Sequence, residues 1–348
     1  MVLFIREEDV RKALTIEDTI EAVEDAYRQH GRGLGQDTPR REVRIKGKGL
    51  PHIAFGTTAV HQGLAYLEES KVVVLSHLFE VRSHTQKRVA KGAIYLLDPS
   101  DGETLAVIQS PYGGWSSTGA SGAVGAKYLS REDSITAGVI GTGRQGRSQL
   151  LFLSKVRGIE KAFAYSGRRR DEEYTKEMGR KLGIDIVATD GPEEVVRNAD
   201  VLITATFSTE PIVRGEWISE GTHINAIGAD CPLKAELDVA TFERADKIVI
   251  DGDKAMTIGE VAILMKQGIL EPEDIYGKIG EVVAGVKPGR EYDAEITIFE
   301  SDGTGISGAG VAAKIYQKVK EMGLGIETSS QYFSTQMFDE SLSRAQIE

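Results

Sequence analysis

The sequence predicts an α/β protein in which a doubly wound parallel sheet follows a smaller α+β unit. Three observations carry that reading. Downstream of residue 134, short apolar runs alternate with helical, polar connections, the rhythm of a parallel sheet covered by helices on both faces. The first of those runs leads into a glycine-spaced turn, Gly141-Thr-Gly143-Arg-Gln-Gly146. Upstream, between about residues 40 and 110, strand-like runs follow one another without helices between them, which suits a mostly antiparallel sheet.

In chain order, Val10, Ala13, Leu14, Ile16, Ile20, Val23 and Tyr27 recur at helical spacing, and Thr15 offers a cap for the second of two helices. Strands are expected at Val43–Ile45, His52–Phe55, Lys71–Leu75, Gly92–Leu97 and Leu105–Gln109, separated by turn chemistry such as Asp98-Pro-Ser-Asp-Gly102. Ser116–Leu129 reads as a helix thinned by Gly119, Gly122 and Gly125. Glycine inside a helix costs about 1 kcal/mol, so this helix should press close against a neighbour. Parallel strands follow at Thr136–Ile140, Lys161–Tyr165, Asp185–Ala188, Val201–Thr206, His223–Ile227, Lys247–Ile250 and Glu295–Phe299. Helices such as Gln145–Val156 and Asp171–Leu182 lie between them, and a last helix, Gly308–Met322, is expected to return to the first unit. The expected division is 1–130, joined by 311–348, and 131–310.

Composition narrows the function classes. The chain has 348 residues with 42 Lys and Arg against 53 Asp and Glu, a formal charge of −11. That balance argues against non-specific binding to nucleic acid or an anionic membrane. One cysteine, Cys231, excludes an internal disulfide framework and a zinc site built on several thiolates. The histidines at 30, 52, 61, 77, 84 and 223 show no metal-ligand spacing, so no metal is expected. Charge appears after five residues, too early for a signal peptide. No apolar run approaches the roughly 20 residues of a spanning helix. A cytoplasmic enzyme or binding protein is the expectation.

The glycine turn points to a dinucleotide. In a Rossmann-type unit, Gly141 permits the tight turn, Gly143 lets backbone approach a pyrophosphate, and Gly146 lets helix and strand close together. The helix N-terminus then offers N–H groups to the anion. Twenty residues after Gly146, where a carboxylate would take the ribose 2′-hydroxyl of NAD, stand Ser166, Gly167, Arg168, Arg169 and Arg170. A hydroxyl and guanidinium groups suit a 2′-phosphate. NADP(H) is therefore preferred, with NAD(H) as the alternative.

Glu220-Gly-Thr-His-Ile-Asn-Ala-Ile-Gly-Ala-Asp230-Cys-Pro-Leu-Lys234-Ala-Glu-Leu-Asp238 resembles the ornithine cyclodeaminase/mu-crystallin family, and within it the archaeal alanine dehydrogenase-like members. Ile279-Gly-Glu-Val-Val-Ala-Gly-Val-Lys-Pro-Gly-Arg290 and Ile296-Thr-Ile-Phe-Glu-Ser301 carry the same likeness. It runs from about Thr118 to Tyr316 and more faintly over the N-terminal third. The resemblance implies a homodimer formed through the first unit, with a small amino or imino acid held between that unit and the Rossmann unit. It matches Lys71 to the family's active-site lysine and Asp230 to the aspartate of its G-[GA]-D segment. Arg41, with Arg44 as competitor, matches a substrate-carboxylate arginine. Thr118 opens the small-residue helix over the cofactor phosphates, and Arg144, Gln145, Ser166, Arg168, Thr206, Gly228, Lys234 and Ser301 fall on cofactor positions.

Two departures bear on the substrate. Ser117 stands where the family reads an arginine before Thr-[GA]-Ala, leaving a carboxylate to another residue such as Arg82 or Lys87. Phe55-Gly-Thr-Thr-Ala-Val60 lacks the glutamate that cyclodeaminases carry ahead of the lysine. The implied activity is NADP-dependent interconversion of a small imino or keto acid and an amino acid, with Lys71 and Asp230 handling the proton. A cyclodeaminase-type lyase with bound NAD, and an NADP-binding crystallin-like module, are the alternatives. The plain structural roles are a sheet-edge charge for Lys71 and a helix cap for Asp230.

Overall fold

The computed structural model describes residues 1–38, 41–45, 58–81, 89–109, 112–167, 171–230 and 232–332. The expected strand His52–Phe55, and Arg82, Lys87, Arg168, Arg169, Arg170 and Cys231, lie outside the described residues.

The chain opens with β1 (Val2–Ile5), α1 (Glu7–Ala13) and α2 (Ile16–Gly31). Thr15 caps α2: its Oγ1 accepts the Asp18 N–H at 3.0 Å, and the Asp18 carboxylate takes the Thr15 N–H at 3.2 Å, a reciprocal box that satisfies otherwise orphaned donors. Strands β2 (Gly35–Asp37), β3 (Arg41–Ile45), β4 (Thr58–Leu67), β5 (Val72–Val81), β6 (Val89–Leu97) and β7 (Thr104–Gln109) follow, and then α3 (Tyr112–Leu129). The alternating part comprises β8 (Thr136–Ile140), α4 (Arg144–Leu153), β9 (Lys161–Tyr165), α5 (Asp171–Leu182), β10 (Asp185–Ala188), α6 (Pro192–Arg197), β11 (Val201–Thr204), β12 (His223–Ala226), α7 (Val239–Glu243), β13 (Lys247–Ile250), α8 (Gly259–Lys266), β14 (Ile275–Lys278), α9 (Ile279–Val283) and β15 (Thr297–Glu300). Helix α10 (Gly305–Glu321) and β16 (Ile326–Thr328) end the described chain.

Two sheets result. The first runs β16-β1-β7-β6-β5-β4-β2, with β3 also on β4, and is antiparallel except for the β1–β7 pair. The second, β10-β9-β8-β11-β12-β15-β13-β14, is parallel throughout. Strand β4 has no counterpart in the sequence expectation, because Gln62 and Gly63 interrupt its apolar alternation; pairing along all of β5 supplies what local pattern lacks. Strand β5 starts at Val72, so Lys71 lies in the turn before it rather than opening it. Strand β14 is a further addition at the sheet edge.

Helices α2, α3 and α10 form a layer shared by the two sheets. Helix α10 lies on α2 and β4, while α3 lies on α4, β12 and β15, and one apolar core runs through all of them. The glycines of α3 are where the contact is closest. A Cβ at Gly122 would sit 1.9 Å from Gln149 Oε1, and one at Gly125 would sit 2.4 Å from the Phe299 ring. Asn225 on β12 reinforces the approach, its Nδ2 donating to the Gly122 carbonyl at 3.0 Å. Substituting Gly125→Ala drives a methyl into a fully buried ring, and overpacking of this kind costs about 1–3 kcal/mol. A lowered urea midpoint is expected; an unchanged midpoint would show that α3 and β15 have room to spare.

Candidate active site

The turn after β8 has the geometry of an anion cradle. Gly141 adopts φ 105°, and a Cβ there would lie 2.4 Å from the Ala205 carbonyl oxygen. At Gly146 a Cβ would come within 2.1 Å of the Gly141 carbonyl oxygen, so any other residue would force helix and strand apart. At Gly143, by contrast, a Cβ meets nothing within 4 Å. Gly143 is also the N-cap of α4 and makes no side-chain cap bond, which leaves the first-turn amides pointed at the open side. The cradle is braced from behind. The Gly141 N–H donates to the Tyr165 carbonyl at 2.9 Å and the Tyr174 hydroxyl to the Gly146 carbonyl at 3.2 Å. Arg147 binds the Thr142 carbonyl and the Glu177 carboxylate. Two buried oxygens here, Gln145 Oε1 and Ser166 Oγ, have no hydrogen-bond partner, which suits a polar ligand.

The neighbouring strand ends are joined by one buried carboxylate. Glu236 accepts the Thr206 N–H at 2.5 Å with one oxygen and the Gly228 N–H at 2.9 Å with the other. The Glu236 backbone is fixed in turn, since Glu260 Oε2 accepts the N–H groups of Glu236 and Leu237 at 2.5 and 2.9 Å. Beyond Glu260 lie Glu300, Asp302 and Asp251, all buried. Burial pushes each of these carboxyls above the usual carboxylate range, and their mutual repulsion adds to the effect for Glu260, Glu300 and Asp302. Glu260 Oε1 and Glu300 Oε2 are buried without a hydrogen-bond partner.

Of the expected proton-handling groups, Asp230 lies just beyond β12 and forms an ion pair with Lys234 at 2.5 Å. Lys234 is almost fully buried, donates also to the Gly228 carbonyl at 3.0 Å, and sits 4.5 Å from the centre of the Phe207 ring. Lys71 is exposed, at φ 50°, its N–H bonded to the Glu68 carbonyl at 3.1 Å. Among the described residues no ion pair or hydrogen bond joins Lys71 to Asp230; the partner of Asp230 is Lys234, expected as a cofactor contact. Thr118 is tied to α4, its carbonyl accepting Gln149 Nε2 at 2.8 Å, while the buried Ser117 accepts Ser121 Oγ at 2.9 Å through its carbonyl. Ser301 donates to Asp251 Oδ2 at 2.8 Å. Arg144 opens α4. Arg41 is on β3, described in backbone only.

Sequence reasoning passed over Glu236, Asp251, Glu260, Glu300 and Asp302. Two of them carried a signal: Asp251 and Glu300 end the apolar runs Ile248-Val-Ile and Ile298-Phe, where a charged residue is rarely buried without a reason.

A doubly wound parallel sheet with a glycine cradle after its first strand, and polar groups gathered at the strand ends, defines a dinucleotide-binding protein. The chain belongs to the ornithine cyclodeaminase/mu-crystallin family, whose model matches residues 2–323. It is 35% identical over 326 residues to the alanine dehydrogenase of Archaeoglobus fulgidus, covering 93% of this chain and 97% of that one. The structure of Thermococcus litoralis Δ1-pyrroline-2-carboxylate reductase in complex with NADH and L-proline superposes with a TM-score of 0.84 at 32% identity, covering 94% of this chain and 100% of that one. An archaeal alanine dehydrogenase dimer with bound NAD gives 0.83 at 33% identity, covering 94% and 99%.

The buried acids make stability depend on pH. Burial, then repulsion by Glu236, pushes Glu260 up to about 8, against the pull of the Leu237 and Glu236 N–H groups. An unfolded glutamate titrates near 4.5, so the folded state holds this proton more tightly. The stabilisation is complete below about 4.5 and is lost as pH rises through about 8, at up to about 1.4 kcal/mol per pH unit for one proton. The melting temperature is expected to fall between about pH 5 and about pH 8. Glu260→Gln should flatten that slope; an unchanged slope contradicts the assignment.

Proposed function

We propose that this chain is an oxidoreductase that interconverts a small imino or keto acid and an amino acid, using NADP(H) in preference to NAD(H). The observation that carries this reading is that the Gly141–Gly146 cradle follows β8 and the Asp230–Lys234 pair follows β12, both at the carboxyl end of the parallel sheet. The similar alanine dehydrogenase and Δ1-pyrroline-2-carboxylate reductase support a substrate that reacts at a carbon–nitrogen bond. The wider proposal is a cytoplasmic homodimer in which 1–130 with 311–348 binds substrate and dimerises, and 131–310 binds the cofactor. No helix among the described residues is long and apolar enough to cross a membrane.

The cofactor's diphosphate belongs at Gly141, Gly143 and the start of α4, with Thr118, Arg144, Gln145, Thr206, Gly228, Lys234 and Ser301 around its length. A bound nicotinamide supplies or accepts the hydride at the substrate carbon. What the chain must do is orient the substrate and move a proton at nitrogen. Asp230, held by Lys234, is assigned that proton, and Lys71 is the second group in the proposal. Arg41 and Ser117 are assigned to the substrate side. Lys71→Ala is the discriminating variant: a fall in turnover of about 100-fold at unchanged melting temperature keeps Lys71 in the mechanism. Full turnover removes it and leaves the proton to Asp230.

The reaction class is read by following the near-ultraviolet absorbance of reduced nicotinamide with a panel of imino acids, and with keto acids plus ammonia. Net consumption of NADPH is expected. Ammonia release from ornithine without net change in NADPH would establish the lyase instead, and cofactor binding without either would leave the crystallin-like module.

Cofactor choice rests on Ser166, Arg168 and Arg169, whose residue types suit a 2′-phosphate. NAD(H) is the second reading. The two solved relatives carry NADH and NAD, and Asp171, which accepts the Ser166 N–H at 3.1 Å through Oδ2, keeps a buried Oδ1 without a partner. The triple variant Ser166→Asp, Arg168→Ala, Arg169→Ala should lower the NADP-to-NAD ratio of kcat/KM by at least about tenfold. An unchanged ratio overturns the NADP preference.

A further inference from the structure

Asp302 follows Ser301 at the carboxyl end of β15, and its side chain is built into the strand-end cluster in an unusual way. The residue is 5% exposed, yet neither carboxyl oxygen has a hydrogen-bond partner. Its direction is set by the backbone on both sides. Lys254 Nζ donates to the Asp302 carbonyl at 2.8 Å rather than to the carboxyl, and Asp251 Oδ2 accepts both Ser301 Oγ and the Gly303 N–H at 2.8 Å. The charged groups that act on the carboxyl are Lys254 and Asp251 beyond β13, Asp230 beyond β12, and Glu260 on α8, with Glu300, the last residue of β15, two positions earlier in the chain. On the α10 side, Asp37 accepts the Gly305 N–H at 2.9 Å, and His30 faces Asp37.

A buried carboxyl with both oxygens unpaired is costly and is kept where something else completes it. The surroundings decide what that is. Four acids and one ammonium disfavour a further anion and favour a basic nitrogen. Asp230 faces the same cluster but is tied to Lys234 and has a side chain 40% exposed. Two carboxyls in such opposite environments divide the roles of acid and ion between them.

We infer that Asp302, in place of the Asp230 that is paired with Lys234, is the acid that delivers the proton to the nitrogen of an imine substrate, and that this nitrogen completes its unpaired carboxyl. The inference rests on the oxidoreductase reading above. In the reducing direction the nitrogen lone pair takes the proton, the Asp302 O–H bond breaks, and an iminium–carboxylate pair forms. The iminium carbon then accepts hydride from reduced nicotinamide, the amine leaves, and solvent returns a proton to Asp302. Burial holds the Asp302 carboxyl well above the ordinary carboxylate range, which favours the protonated form this step requires.

Two measurements on the full chain and on Asp302→Asn test this. The first is the pH profile of Δ1-pyrroline-2-carboxylate reduction. Asp302→Asn should lower kcat by about 100-fold and remove the alkaline limb of the wild-type profile, with NADPH affinity unchanged. The second is calorimetric binding of pyrrolidinium in buffers of different ionisation enthalpy, which needs no turnover. The wild-type chain should release one proton on binding; Asp302→Asn should release none and bind at least about tenfold more weakly. An asparagine variant that keeps both kcat and proton release overturns the role of Asp302 while leaving the oxidoreductase standing. Proton release lost in the variant, with no turnover in either protein, upholds the nitrogen site and overturns the reaction. Neither turnover nor pyrrolidinium binding in the wild type overturns both.

Discussion

The strand-end loops hold their shape through the Glu236 carboxylate. It lies in the interior, accepts one backbone amide from the loop after β11 and another from the loop after β12, and so holds Thr206 and Gly228 at a fixed separation. Buried anions are unfavourable unless their oxygens are satisfied, and here both are. The next carboxyl, Glu260, repeats the device on the Glu236 backbone itself. Asp230 and Lys234 stand in sequence between Gly228 and Glu236, the two backbone points so held, so their ion pair inherits the rigidity of the clamp.

Five buried acids gather at the carboxyl end of the parallel sheet, and burial raises every one of them. Burial and mutual repulsion raise the carboxyls of Glu260, Glu300 and Asp302, and Lys254 acts against that rise at Asp302. The cluster's cost falls on folding stability as pH rises from about 5 to about 8. The glycine cradle works on the opposite principle, by removing side chains so that bare amides face outward. Small residues in α3 extend that principle to the helix over the cradle, since the Gln149 contact that Gly122 permits also positions the Thr118 carbonyl.

Those parts of the fold that rest on local pattern were legible in the sequence. The strands from Thr136 to Ile250 announce themselves by short apolar runs, the cradle by glycine spacing, and α3 by a density of small residues that only close packing explains. The smallest errors were of register: Lys71 was expected to open a strand and instead ends the turn before it, a shift of one residue that leaves its side chain exposed. Larger gaps arose where pairing or burial is decided by distant segments. Gln62 and Gly63 hide β4, which exists because β5 pairs along its whole length. Glu236, in Lys-Ala-Glu-Leu-Asp, has the look of a solvated loop until α8 and the loop after β11 close on it. Asp302 is a carboxylate between a serine and a glycine, and nothing in that tripeptide signals burial. The pairing of Asp230 with Lys234 was available as a four-residue spacing, yet the family likeness drew attention to Lys71.

The most direct measurement is the fate of deuterium carried at both C4 positions of reduced nicotinamide. With Δ1-pyrroline-2-carboxylate as acceptor and the full chain as catalyst, proline bearing one deuterium at its α-carbon is the expected product, in step with oxidation of the cofactor. Product formed without the label, or with deuterium entering only from heavy water, would contradict hydride transfer at this sheet edge and with it the proposed reaction.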